Sequence, residues 1–269
     1  MGAVLFDRFA DWTADADAVL GYSIRELCAE DPRGELGLTQ FTQPALFCVN
    51  AMMYRARTED GGEPPAFVAG HSLGEYNALV AAGVFDFRTG LAMVKQRGAL
   101  MGQVSGGGMA AVIGMEPATI QEILQTSEAG RRLDIANFNS FEQTVIAGPT
   151  EALGAVKAQF EAAGVRAFIS LKVSAPFHSR YMGEPQEEFG RFLAGFSFAP
   201  PEIPVVANAT ATPYHPTRIR ETLASQIGSA VKWLDSVVYL LDAGVTHFDE
   251  VGPGSVLSKL VAQIRKKRS

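Results

Sequence analysis

Cysteine is nearly absent from this chain of 269 residues, and with Cys28 and Cys48 as the only two, a disulfide scaffold or a cysteine-built redox centre is excluded. No metal site is expected. Cations are also scarce: the formal charge is −6, and four of the 23 Lys and Arg residues stand in the last five positions, leaving 19 cations against 29 acids in the body, a net −10. Such a body does not coat itself with nucleic acid or anionic lipid, so neither partner is expected. Long apolar runs are missing too. None approaches the ~18 residues of a membrane span, and Met1-Gly2-Ala3-Val4-Leu5-Phe6-Asp7 lacks a basic segment followed by a cleavage site. A soluble protein in the reducing cytoplasm is the expectation. What is present is a core-forming composition: 47% hydrophobic, 19% charged, with 27 glycines that follow no period. Disorder and collagen are excluded, and the length suits one large α/β domain or a domain with a smaller insert.

The first third reads as helices, with short patches at 13–20 and 23–28 and a longer one over 43–57, where Ala45, Leu46, Val49, Met52 and Met53 form an apolar stripe. The Met pair is core rather than a ligand box. A polar Gly/Pro-rich loop at 58–65 leads into Ala66-Phe67-Val68-Ala69-Gly70, a buried strand. Between Gly106 and Pro176 the order is a strand at 109–114, a helix at 117–127, strands at 133–137 and 143–147, a helix at 150–163 and a strand at 165–173. That β-α-β-β-α-β order is ferredoxin-like. Afterwards come helices at 184–194, 216–227 and 233–243, with strands at 203–207 and 246–249.

The densest chemical signal is Gly70-His71-Ser72-Leu73-Gly74-Glu75, set between the strand and an apolar-periodic helix closed by Gly83. A serine on a sharp strand-to-helix turn is held exposed in strained geometry, while flanking glycines let backbone pass closely. Ser72 is the candidate nucleophile, and the Leu73 N–H at the helix start is the candidate oxyanion donor. A serine needs a base. His71 points away from its neighbour at such a turn and is read as orienting the elbow or lining the pocket, while His215 in a turn and His247 in a strand are read as structural. His178, in Ser174-Ala175-Pro176-Phe177-His178-Ser179-Arg180, leaves a strand for a loop, where α/β folds carry functional groups. It is the candidate base. No carboxylate stands out as the third member of a triad.

These residues resemble the malonyl-CoA:acyl-carrier-protein transacylases and the acyltransferases of polyketide synthases. The resemblance is carried by Gly70 to Glu75, Gln96-Arg97-Gly98, Ala136-Asn137-Phe138-Asn139-Ser140, Phe177-His178-Ser179, Gln226 with Ser229, Val231 and Trp233, and Val251-Gly252-Pro253-Gly254, in matching order over nearly the whole chain. It implies an α/β fold: an α/β-hydrolase-like large subdomain with a mostly parallel sheet, residues 1–105 and 177–269, and an inserted ferredoxin-like small subdomain, residues 106–176. By the same resemblance Ser72 accepts the acyl group as an ester, His178 is its base, and the backbone carbonyl of Gln226 orients the imidazole in place of an acid. Arg97 is similar to the family arginine that holds the free carboxylate of malonyl. Alone it reads as a surface cation beside Lys95, although a five-donor planar fork suits a carboxylate. Phe177 is similar to the version of the motif that accompanies malonyl, its ring leaving little room for an α-methyl group. Gln43 and Asn139 resemble pocket-lining positions, and each reads equally as a helix-start or turn residue.

The implied activity is ping-pong transfer of malonyl from coenzyme A to the phosphopantetheine thiol of an acyl carrier protein, without a cofactor, by a monomer acting in trans for polyketide or fatty-acid assembly. An acyl-carrier thioester hydrolase would use the same Ser/His pair, but a buried Arg97 would serve uncharged acyl chains poorly. A noncatalytic carrier-docking protein would have no need of Ser72 and His178. Lys95, Lys172 and Arg180 are candidates for a basic patch facing an acidic carrier. The family also has a strand and a Gly-Gln-Gly-Ser-Gln segment, with a second oxyanion donor, ahead of the residues that Met1-Gly2 resemble, and the sequence contains none. Turnover lower by ~10²–10³ and an exposed sheet edge are the expected consequences.

Overall fold

The computed structural model describes residues 2–268; Met1, from which the comparison at the N-terminus starts, and Ser269, the end of the basic tail, lie outside them. The chain opens with α1 (Ala3–Arg8), α2 (Ala10–Leu20), α3 (Ile24–Ala29) and α4 (Thr39–Glu59). Ser23 caps α3 by accepting the Glu26 N–H, and Gly21 ends α2 in the left-handed region. The longest of these, α4, starts four residues before the apolar stripe at 43–57, taking Pro44 inside its second turn. Next come β1 (Val68–Ala69), α5 (Gly74–Ala81) and α6 (Phe87–Gln103), the last capped by Asp86 on the Thr89 N–H.

The middle of the chain runs β2 (Gly107–Ile113), α7 (Pro117–Thr126), β3 (Asp134–Ser140), β4 (Gln143–Pro149), α8 (Thr150–Ala162) and β5 (Ala167–Ser170). Its four strands pair antiparallel in the order β3-β4-β2-β5, the order that a β-α-β-β-α-β chain produces. Alternation sorts the sheet's two faces. Ala110, Val112 and Ile146 pack on Ile120 and Leu124 of α7 and Val156 and Phe160 of α8, whereas Met109, Ala111, Val145 and Ala147 face the other way, toward Phe177. The remainder is α9 (Gly183–Leu193), β6 (Val205–Val206), α10 (Ile219–Gln226), α11 (Trp233–Asp242) and α12 (Val256–Arg268). Among the described residues the parallel sheet consists of β1 and β6, with Val68 opposite Val205 and Ala69 opposite Val206. Around it lies the largest core, built from α1 to α6, α9 and α10.

Three helices exceed the sequence expectation and one strand fails. Helices α1, α6 and α12 are additional to those the sequence pattern predicts; α6 buries Phe87, Leu91, Val94 and Met101 at helical spacing, but Gly90, Gly98 and Gly102 lower its intrinsic propensity. Packing accounts for those glycines. A Cβ at Gly98 would stand 3.2 Å from the Gln40 Cα and the Thr39 carbonyl oxygen, so α6 crosses the head of α4 at a distance that a side chain would force slightly apart. The segment 246–249 forms no strand: it has no ladder partner among the described residues, and Thr246, His247 and Asp249 are exposed. An apolar pattern becomes a strand only where a neighbouring backbone offers its N–H and C=O groups. His247 accordingly lies on an exposed stretch, against Asp249 at 2.7 Å. No helix among the described residues is long and apolar enough to cross a membrane.

Candidate active site

The site grows from the turn between β1 and α5. A Cβ at Gly70 would fall 2.0 Å from the Gly74 carbonyl group, so the turn closes only over glycine. Ser72 takes φ 50°, in the left-handed region. Its N–H donates to Asn208 Oδ1 at 2.6 Å, while Asn208 Nδ2 donates to the Gly70 carbonyl at 2.6 Å, so one buried carboxamide pins both sides of the turn. The Gly74 N–H donates back to the His71 carbonyl. Leu73, whose N–H stands between these two engaged donors in the chain, is the cap residue at the start of α5.

His178 reaches Ser72 from 106 residues away, its Nε2 lying 2.7 Å from Ser72 Oγ. It too has a positive φ, 56°. Its Nδ1–H donates to the Gln226 carbonyl at 3.0 Å, which assigns the tautomer: Nε2 carries no proton and accepts from the serine. Burial, with the Arg97 charge second, pulls the imidazole down to about 3, so it is neutral throughout the working pH range.

Arg97 is 1% exposed and is no surface cation. Its guanidinium donates to Gln43 Oε1 at 2.6 Å, to Gln226 Oε1 at 3.0 Å and to Ser72 Oγ at 3.0 Å, and it lies 5.6 Å from the centre of the Tyr76 ring. The close crossing of α6 over α4 puts Arg97 against Gln43. All three acceptors are neutral, and burial lowers the guanidinium's affinity for its proton. A buried cation met only by neutral oxygens is prepared for an anion.

Of the other expected site residues, His71 points away from Ser72, its Nε2 lying 2.9 Å from Asn139 Oδ1. Asn139 lies in a β3 that is irregular at two places, between Ile135 and Asn137 and between Phe138 and Ser140, and Val231 bridges its backbone at Asn137, between the two. Phe177, half-buried, packs on both the main core and the open face of the small sheet. Of the basic candidates, Lys95 donates to the Val19 carbonyl at 2.8 Å, and Arg180 pairs with Asp134 at 3.0 Å. Sequence reasoning missed Glu75, Asn208 and Tyr214. Glu75 stood inside the quoted motif, but a glutamate in a first helical turn reads as exposed; Asn208 and Tyr214 sit in a loop with no local signal. No cluster of His, Cys, Asp and Glu able to hold a metal occurs among the described residues.

Residues 1–268 match the family described as the acyl transferase domain. The chain is 49% identical over 268 residues to a polyketide biosynthesis malonyl CoA-acyl carrier protein transacylase, BaeC, of Bacillus velezensis, covering 99% of this chain and 92% of that one. It is also 49% identical over 269 residues to the polyketide biosynthesis protein ThaF of Burkholderia thailandensis, covering 100% of this chain but only 23% of that longer protein. A crystal structure of malonyl CoA-acyl carrier protein transacylase from Burkholderia pseudomallei superposes with a TM-score of 0.95 at 49% identity, covering 99% of this chain and 93% of that chain.

Proposed function

From the premise that this chain belongs to the acyl transferase domain family, we propose that it transfers malonyl from malonyl-CoA to the phosphopantetheine thiol of an acyl carrier protein. The observation that carries this reading is Ser72 Oγ, held at 2.7 Å by a neutral imidazole and at 3.0 Å by a buried guanidinium. Nucleophile, base and carboxylate clamp converge on one atom.

In the first half-reaction the malonyl carboxylate takes the Arg97 fork, which places the thioester carbonyl over Ser72. Ser72 Oγ attacks the carbonyl carbon as its proton passes to His178 Nε2. The Leu73 N–H stabilises the oxyanion, and the imidazolium, held by the Gln226 carbonyl, returns the proton to the departing coenzyme A sulfur. In the second half-reaction the carrier's thiol gives its proton to His178 and attacks the seryl ester, restoring the hydroxyl. Only ester and thioester bonds exchange and nothing is oxidised, so no cofactor is needed. Neutralising Arg97 also removes one of the two largest influences depressing His178. Binding the correct acyl group therefore strengthens the base.

In this reading the site lies in the seam between residues 1–105 with 177–269 and the insert 106–176, and the reaction takes place in the cytoplasm on a coenzyme A thioester. The assembly served is polyketide or fatty-acid synthesis, supported by the polyketide biosynthesis transacylase to which the chain is 49% identical. Incubation with labelled malonyl-CoA tests it: label is expected on Ser72 by mass spectrometry, absent from Ser72→Ala, and passed to holo carrier protein faster than free malonate appears. Label retained by Ser72→Ala overturns the nucleophile; malonate outpacing transfer favours hydrolysis.

A further inference from the structure

Two opposite charges are buried side by side without touching. Glu75 is 0% exposed; it accepts from the Tyr214 hydroxyl, from the Asn208 N–H at 3.2 Å and from Gln226 Nε2 at 2.9 Å. The same Gln226 side chain accepts from Arg97 at 3.0 Å through its other end, so a single carboxamide stands between the carboxylate and the guanidinium. That spacing keeps Arg97 from being consumed by an internal salt bridge, yet leaves Glu75 near enough to offset its charge while the site is empty. Once a second carboxylate occupies the guanidinium, the offset is gone and two anions face one cation. Like charges sharing a site cannot both stay ionised at little cost.

We propose that Glu75 is the counter-charge of Arg97 in the empty site and that it takes up a proton when a carboxylate-bearing acyl group is loaded, so that loading malonyl consumes a proton where loading a neutral acyl group consumes none. This rests on the malonyl transfer proposed above. The acyl transfer itself is proton-neutral, the Ser72 proton ending on coenzyme A, whose thiol stays protonated near neutral pH because free thiols titrate at ~8.5. The extra proton comes from solvent and ends on a Glu75 carboxylate oxygen. A cavity of about 390 Å³ lined by Ala207, Tyr214, His215, Glu221 and Ser225 brings solvent to the tyrosine whose hydroxyl holds that carboxylate.

The titratable and charged groups around Glu75 are Arg97 on α6, Tyr214 ahead of α10 and Tyr76 on its own helix, with His178 one residue further, across Gln226. Burial pushes Glu75 up to about 7, against the lowering influence of its hydrogen bonds and of Arg97. Losing the Arg97 influence to a bound carboxylate raises it further. Uptake is then largest just above pH 7 and vanishes toward pH 6, where the empty site already holds the proton. Glu75 touches no substrate and acts through Gln226 and Arg97 as a positioning residue.

The test is to mix enzyme with malonyl-CoA in weak buffer containing a pH indicator and to count Ser72 occupancy by intact mass. Roughly half to one proton per malonylated enzyme is expected slightly above pH 7, none with acetyl-CoA, and none for malonylated Glu75→Gln. The same variant should lower KM for malonyl-CoA at pH 8 by up to about tenfold, the cost of protonating at pH 8 a carboxylate that titrates near 7, with kcat changed much less and KM for acetyl-CoA unmoved. A malonylated wild type without uptake, or equal uptake in Glu75→Gln, overturns the proposal. If Glu75→Gln does not fold, Tyr214→Phe serves: losing a donor to the ionised carboxylate should move the uptake profile to higher pH, and an unmoved profile overturns the idea. Wild-type Ser72 that malonyl-CoA leaves unlabelled brings down the malonyl transfer itself, an outcome read from the mass spectrum alone.

Discussion

The Arg97 guanidinium donates to the Ser72 hydroxyl at 3.0 Å, a hydrogen bond that, in the proposed transfer, an incoming acyl carboxylate must replace. In the proposed transfer, the group that binds the acyl carboxylate is therefore also the group that holds Ser72 Oγ while the site is empty. Selection and reactivity are coupled through one side chain, and the variants that separate them are specific.

Arg97→Ala should reduce malonyl loading onto Ser72 by ~30- to ~5 × 10³-fold, the equivalent of roughly 2–5 kcal/mol for a buried charge-assisted pair. Acetyl loading should hold or improve, because a fixed positive charge no longer depresses His178. Single-turnover loading with both thioesters checks this; equal losses for the two would make Arg97 a structural residue.

Two buried groups pull stability in opposite directions with pH. His178 is lowered to about 3 from ~6.5 in an unfolded chain, so its contribution is complete above ~6.5 and is lost as pH falls toward 3. Glu75 is raised to about 7 from ~4.3, so its contribution is complete below ~4.3 and is lost as pH rises to 7. Between about pH 4.5 and 6.5 the slopes cancel. Denaturant titrations of His178→Gln should therefore show stability falling by about 1.4 kcal/mol per pH unit across that window, and those of Glu75→Gln should show it rising by a similar amount. Flat profiles in both variants would contradict the two shifts.

The left-handed backbone at Ser72 stores strain in the turn that presents its hydroxyl to His178 and Arg97. Ser72→Gly should be inactive in malonyl loading yet at least as resistant to urea as the wild type, with up to about 1 kcal/mol gained from relieved strain. A clear loss of stability would show that the hydroxyl's contacts with His178 and Arg97 outweigh the strain.

Asn208 holds two backbone groups of the turn with one side chain. Asn208→Ala leaves the Ser72 N–H and the Gly70 carbonyl without their partner, at about 1–3 kcal/mol for each buried group that water cannot reach. Loading should slow with little change in KM, because the malonyl carboxylate still finds Arg97. A change confined to KM would place Asn208 in substrate binding instead.

Much of this site was legible from local order. Gly70, Ser72 and Gly74 between an apolar run and an apolar-periodic helix describe the elbow without a structure, because turn geometry and helix period are set by neighbours in the chain. The ferredoxin-like insert was legible for the same reason, its alternating strands and capped helices lying in one continuous stretch. The segment 246–249 shows the limit: its composition suits a strand, but pairing depends on a partner that local sequence does not specify. Glu75, Asn208 and Tyr214 show it again, since each has its role through a residue 133 or more positions away, the Glu75 carboxylate meeting Tyr214 and the Asn208 N–H. The sequence by itself determined which atoms could react, a serine on a strained turn and a histidine able to act as its base. Only the tertiary structure decided that Arg97 is buried among neutral acceptors one amide away from Glu75. Charge, burial and long-range hydrogen bonds set how strongly a proton or a carboxylate is held, and those depend on what surrounds a group in space rather than along the chain.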